Sequence, residues 1–220
     1  MSEGKGPSGR QNFLVAKRRF NRGSGPADYK AGFALLKKAA SAGYIRAHEW
    51  LGYVYDYGYG TRPNRRLAFE HYLIAAKAGN ANAEYHVGVF YHEGISVRKN
   101  YRLAAKWLRR SAKHGDATAL WALGMAHRYG WGLRKNLKRG FKLILEAARM
   151  GELEAQFSLG VCLSRGEGTA ADPKHAFQWY LRAAKRGHKD AAHSVAYFYE
   201  IGRGVQGNEM KAEFWYQRSK

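Results

Sequence analysis

Residues 47–60 read AHEWLGYVYDYGYG. The same skeleton returns at intervals of 36 residues, as AEYHVGVFYHEGIS at 83–96, ALWALGMAHRYGWG at 119–132, AQFSLGVCLSRGEG at 155–168 and AAHSVAYFYEIGRG at 191–204. Self-similarity at a fixed period is the signature of a repeat architecture and precedes any local reading. Within the stretch, Ala47, Leu51, Gly52 and Tyr55 stand at helical spacing and share one face of a helix. The column Gly52, Gly88, Gly124, Gly160 and then Ala196 is expected to let a neighbouring backbone come close. Gly58 ends the helix, because glycine takes the positive φ of a helix stop without strain. Its column continues as Gly94, Gly130, Gly166 and Gly202, and two residues further run Gly60, Ser96, Gly132, Gly168 and Gly204.

A second helix follows each turn. Asp28, Asn64, Asn100, Asn136, Asp172 and Asn208 form a column of expected N-caps, since a short side-chain oxygen can accept from the free amides of the next turn. Ala68, His71, Tyr72, Ala75 and Ala76 make the apolar face, matched by Ala104, Trp107, Leu108, Ser111 and Ala112. Gly79 closes the helix in the column Gly43, Gly79, Gly115, Gly151 and Gly187. One such pair cannot cover its own apolar face, so the units must stack. The fold read from the sequence is all-α, with six 36-residue helix-turn-helix repeats at about 8–43, 44–79, 80–115, 116–151, 152–187 and 188–220 in one domain behind a flexible tail at 1–7. The first repeat is degenerate: Arg19 and Arg22 stand where an aromatic residue and a glycine are expected.

The pattern Ala47-x-x-x-Leu51-Gly52-x-x-Tyr55-x-x-Gly58-x-Gly60, with Ala68, Tyr72, Ala75-Ala76 and Gly79 after it, resembles the Sel-one-like repeat (SLR) family, relatives of the tetratricopeptide repeats. The resemblance implies a right-handed αα superhelical solenoid that scaffolds protein–protein contacts. It also implies a concave wall lined by first-helix positions. One column on that wall reads Glu49, Tyr85, Trp121, Phe157 and His193, and the next reads Tyr53, Val89, Met125, Val161 and Tyr197. Aromatic residues on an open groove suit a hot-spot surface, because Tyr and Trp bury large areas on binding. The alternative is that curvature lets these side chains pack from repeat to repeat. Secreted relatives that staple each repeat with cysteines are a poor guide, because Cys162 is the only cysteine.

Composition bounds the rest. With 45% hydrophobic residues, 14% aromatics and four prolines, the 220-residue chain reads as ordered. No apolar run approaches the roughly 18 residues of a membrane span. Met1 to Arg10 lacks the apolar stretch of a secretory signal, and one cysteine suits a reducing compartment, so a cytoplasmic protein is expected. The formal net charge of +21 favours acidic or polyanionic partners.

Much of that charge is placed in register. Arg66, Arg102, Lys138 and Lys174 form one column on the second helices, with Lys106 and Lys142 one turn on and Arg110 and Arg182 beyond them. Solvated helix faces explain part of this. They explain poorly the clusters Arg98 to Arg102 and Arg134 to Lys138, where positive charge opposes the dipole at a helix start. An acidic protein and a nucleic acid are the two partner classes this ladder suits.

Catalytic and metal readings find little support. Gly130-Trp131-Gly132 resembles a phosphate loop only superficially, since the strand and the following Lys-Ser/Thr are missing. His86 and His92 are six apart, off a common face, with no third ligand at zinc spacing. No cofactor and no enzymatic activity are expected.

Overall fold

The structure, a computed structural model, describes residues 8–22 and 25–220; the expected tail at 1–7 lies outside them. All regular structure among the described residues is helical. The first helices of the six pairs are α1 (Gly9–Arg22), α3 (Ile45–Tyr57), α5 (Ala81–Glu93), α7 (Ala117–Tyr129), α9 (Leu153–Arg165) and α11 (Lys189–Ile201). The second helices are α2 (Pro26–Ser41), α4 (Arg65–Lys77), α6 (Tyr101–Lys113), α8 (Leu137–Arg149), α10 (Pro173–Lys185) and α12 (Glu209–Ser219). Among the described residues no helix is long and apolar enough to cross a membrane. The helices group into two compact units, residues 1–111 and 112–220.

The cap column does double duty. The Asn64 side chain accepts from the Leu67 amide at 3.0 Å, while its own backbone N–H donates to the Tyr55 carbonyl of α3 at 2.7 Å. Asn100, Asn136, Asp172 and Asn208 repeat both bonds, with backbone distances of 2.8 to 2.9 Å. One residue therefore starts the second helix and ties it to the first. Asp28 departs from the expectation. Pro26 lets α2 begin three residues earlier, so Gly25 occupies the cap position without a side-chain bond and Asp28 falls within the first turn. There its carboxylate accepts from Arg19 at 2.8 Å, which gives the apparent misfit of the first repeat a partner.

The Gly52 column also serves differently from the sequence expectation. A Cβ on Gly52 would stand 2.6 Å from the ring of Tyr72, and one on Gly160 would stand 2.6 Å from that of Tyr180. The gap is filled by a large side chain of the second helix, which lets Tyr72 be fully buried. Backbone comes close as well at Gly124, where the Gly140 carbonyl lies 3.1 Å from the Cβ position, and at Gly88, where the Ala104 carbonyl lies 3.4 Å away. The second turn glycines set the step between repeats. A Cβ on Gly60 (φ +75°) would collide with the Tyr29 carbonyl at the start of α2, and one on Gly168 with the Leu137 carbonyl at the start of α8. Ser96 occupies this column with φ +57°, a conformation that strains any residue but glycine.

In residues 1–111, Phe13, Ala16, Leu36, Ala39, Ala47, Leu51 and Val54 form one buried cluster, and α4 and α5 bring together another around Tyr72, Val87 and Phe90. In residues 112–220, Ile144, Ala147, Ala155 and Leu159 join α8 to α9, and Tyr180, Ala183, Val195 and Phe198 join α10 to α11. Every cluster links the second helix of one pair to the first of the next, as stacking requires. Alanine dominates these seams because close helix approach leaves little volume.

Between α3 and α4 the Nδ1 atoms of His48 and His71 lie 2.9 Å apart, so one ring donates and the other accepts. Burial, then the facing His48, push His71 down to about 4, and burial alone pushes His86 down to about 4. Both rings are therefore neutral in the folded protein where the unfolded chain binds protons. Stability should fall as pH drops below about 6.5 toward 4. Denaturant melts at pH 7 and pH 5 check this, and H71Q should flatten the slope. Gly79→Ala, at φ +86° with open space around it, should cost about 1 kcal/mol. Gly60→Ala adds a collision with backbone and should cost about 3 kcal/mol, while Ser96→Gly should stabilise by about 0.5 kcal/mol, all read by equilibrium unfolding.

Candidate interaction surfaces

The first-helix columns divide into packed and open positions. In residues 112–220, the Trp121 indole N–H donates to Ser158 Oγ at 2.9 Å, and Trp121 and Met125 pack on the cluster around Ile144 and Leu159. The Phe157 ring lies 4.5 Å from that of His188 and 5.8 Å from that of Tyr180, and Phe157 and Val161 pack on the cluster around Tyr180 and Val195. These four side chains are half-buried, with Trp121 reaching Ser158 and Phe157 reaching His188 of the following repeat. Tyr197 is 45% exposed. In residues 1–111, Tyr53 is 41% exposed and its ring lies 4.7 Å from Tyr57 and 5.5 Å from Tyr59, whereas Tyr85 and Val89 are half-buried.

The basic ladder divides as well. Arg66, Arg102, Lys106, Lys138, Lys142, Lys174 and Arg182 are exposed. Arg66 pairs with Glu70 at 3.6 Å and Arg182 lies over Trp179 at 4.5 Å. Arg110 leaves the ladder. Its Nε donates to the fully buried Glu84 at 2.9 Å, and its guanidinium stacks on Trp107 at 4.7 Å. A buried carboxylate on α5 draws this cation inward, and no 36-residue column announced it, because Glu84 has Leu120 and Gln156 as its equivalents. Arg128 plays a similar part in residues 112–220, where it donates to Glu167 at 2.6 Å and holds that carboxyl below the usual range.

Among the described residues Arg98, Lys99, Arg102, Lys106 and Arg109 make no ion pair, and neither do Arg134, Lys135, Lys138, Arg139 and Lys142. The helices α4, α6 and α8 carry no acidic residue in their first turns. Positive charge there opposes the helix dipole, so it weakens the helix while making the turn attractive to anions. Sequence reading of single columns missed one concave feature, a pocket of about 470 Å³ in residues 1–111 whose wall includes Trp50, Tyr53 and Tyr59. The density of tyrosines at 53, 55, 57 and 59 was the available signal. The Arg110 assignment predicts that Arg110→Ala costs about 2 kcal/mol of stability by taking the cation from Glu84. Arg102→Ala and Lys106→Ala should each change stability by under about 0.5 kcal/mol in the same unfolding assay.

The helix pairs coincide with a known repeat. The Sel1 repeat model matches residues 12–44, 45–80, 81–116, 117–152, 153–188 and 189–220. No protein of curated function matches the chain. Among solved structures, a Sel1 repeat protein from Oxalobacter formigenes superposes with a TM-score of 0.84 at 29% identity, covering 94% of this chain and 81% of that one. The protective antigen c5321 of uropathogenic Escherichia coli, which displays an SLR fold, gives a TM-score of 0.85 at 26% identity over 96% of this chain, which spans only 45% of that protein's chain. The immunity protein Pa5087 of Pseudomonas aeruginosa shares the fold at 18% identity, with a TM-score of 0.64 over 97% of this chain and 82% of that one. With six consecutive matches that run from residue 12 to residue 220, the chain belongs to the Sel1 repeat family.

Proposed function

We propose that this Sel1 repeat protein is a non-enzymatic, cytoplasmic adaptor that binds an acidic protein partner through its basic second helices, with exposed first-helix aromatics such as Tyr53 and Tyr197 adding contact area. The observation that carries the reading is the run of cations at Arg98, Lys99, Arg102, Lys106 and Arg109, none of which is neutralised by a carboxylate of the described residues. A helix gains nothing for its own stability from positive charge at its start. Charge held there against the dipole points outward, to a ligand. The half-buried Trp121 and Phe157 contribute to affinity less than their residue types suggest, because much of their surface already packs within the protein.

The partner's acidity follows from the same field. Charges of one sign on exposed helices raise the encounter rate with an oppositely charged surface and discriminate against basic partners, while aromatic contacts supply much of the affinity. Pa5087 is an immunity protein, and on that analogy of fold the partner is a toxin neutralised by complex formation. A second reading, binding of a nucleic acid, is favoured by α6, whose sequence YRLAAKWLRRSAK holds five basic residues and no acidic one.

Capture of partners from native lysate, with and without nuclease, separates the two. The adaptor reading expects a nuclease-resistant protein partner whose affinity falls more than about tenfold in R102E/K106E/R109E and only modestly in Trp121→Ala. Loss of the captured material on nuclease treatment, with a steep fall of binding to a single strand of about 20 nucleotides as salt rises, would instead select the nucleic-acid reading. Equal loss from the triple variant and from Trp121→Ala would count against the division of roles.

A further inference from the structure

The pocket in residues 1–111 has a chemistry opposite to that of the rest of the chain. It is lined by the aromatic residues Phe20, Tyr29, Trp50, Tyr53 and Tyr59 together with Glu49. The rings form a linked series, with centroids 5.7 Å apart for Phe20 and Tyr29, 5.9 Å for Phe20 and Trp50, 5.3 Å for Tyr29 and Tyr59 and 5.5 Å for Tyr53 and Tyr59. Asn21, Asn82 and His86 complete the lining, and His86 is uncharged at neutral pH because burial holds it down to about 4. Glu49 is therefore the one formal charge among the described lining residues. In a chain with 38 Lys and Arg, no Lys or Arg is among the described lining residues.

We propose that this pocket is a receptor for a methylated ammonium group, held by the aromatic wall and neutralised by Glu49. The faces of Trp and Tyr rings attract a cation through their quadrupoles, and several rings around one volume add their effects. Glu49 is held in place from outside the lining, since Asn80 Nδ2 donates to its Oε2 at 2.7 Å, and its other oxygen keeps its acceptor capacity. Behind the wall, burial first and then the charges of Asp56 and Glu49 push the fully buried Tyr72 hydroxyl well above its usual range.

Methylation follows from solvation. A bare lysine ammonium loses strong hydration on entering, and ring faces offer no acceptors to replace it. A methylated ammonium spreads its charge over carbon surface, is weakly hydrated and fills an aromatic box. An anionic or purely apolar occupant is less suited, because it would cover Glu49 without supplying a counter-charge. Lys17 supplies an internal precedent, with its Nζ 5.9 Å from the centre of the Trp50 ring, and as a like charge at that ring it opposes an incoming cation.

The test uses choline and its neutral isostere 3,3-dimethylbutanol, titrated into the full chain while the Trp50 indole resonance, assigned with W50F, is followed by NMR. Choline should shift the resonance saturably, and the isostere should bind at least about tenfold more weakly. Glu49→Gln, which keeps an oxygen for Asn80, should weaken choline binding about fivefold, and Tyr53→Ala should do the same at an exposed ring. Lys17→Ala should strengthen it about twofold by removing the like charge. A short peptide carrying trimethyllysine separates the sources. Binding about tenfold tighter than choline marks a protein-borne group, whereas comparable binding marks a free small molecule. Equal affinity for choline and its isostere, indifference to Glu49→Gln and Lys17→Ala, or no saturable shift with any ligand would overturn the proposal.

Discussion

The hydrogen bonds of the cap residue hold the second to sixth helix pairs in their geometry. Asn64 and its equivalents donate through the backbone to the first helix and accept through the side chain from the second. A single residue with a short polar side chain thus fixes both where the second helix begins and how far it stands from the first. Once that angle is set, the Tyr72 ring must lie against α3, and only a position without a Cβ can receive it. The glycine at 52 and the tyrosine at 72 are consequences of the cap, and the alanine seams between pairs are consequences of the close approach that follows.

The same constraint sorts the surfaces. Some first-helix residues are partly taken up by packing, as Trp121 is on Ser158 and Phe157 on His188 and Tyr180. The second-helix starts are free of that demand, and there the chain places cations that its own helices do not need. A buried acid can still recruit one of them, as Glu84 recruits Arg110. The degenerate first repeat is used in another way: its Phe20 and Tyr29 close an aromatic wall against Trp50, Tyr53 and Tyr59 beside the carboxylate of Glu49. A basic exterior and an acidic aromatic pocket can coexist because charges farther apart than about 8 Å are largely screened at physiological salt.

Helix content, the period, the cap column and the turn glycines were all legible in the order of residues, because each depends on backbone conformation and hydrogen bonding within a few positions. The exposed cations of α4, α6, α8 and α10 were legible too, since helical spacing assigns a face without knowledge of the neighbours. Which aromatics remain open, which arginine is drawn inward and where a pocket forms were settled instead by packing in three dimensions. Those outcomes depend on side chains about 25 to 40 residues apart, such as Arg110 with Glu84, Trp121 with Ser158 and Phe20 with Trp50. A column of equivalent positions cannot reveal them, because the partner sits on another helix, in the same repeat for Arg110 and in the next for Trp121 and Phe20, and that partner varies where the period does not.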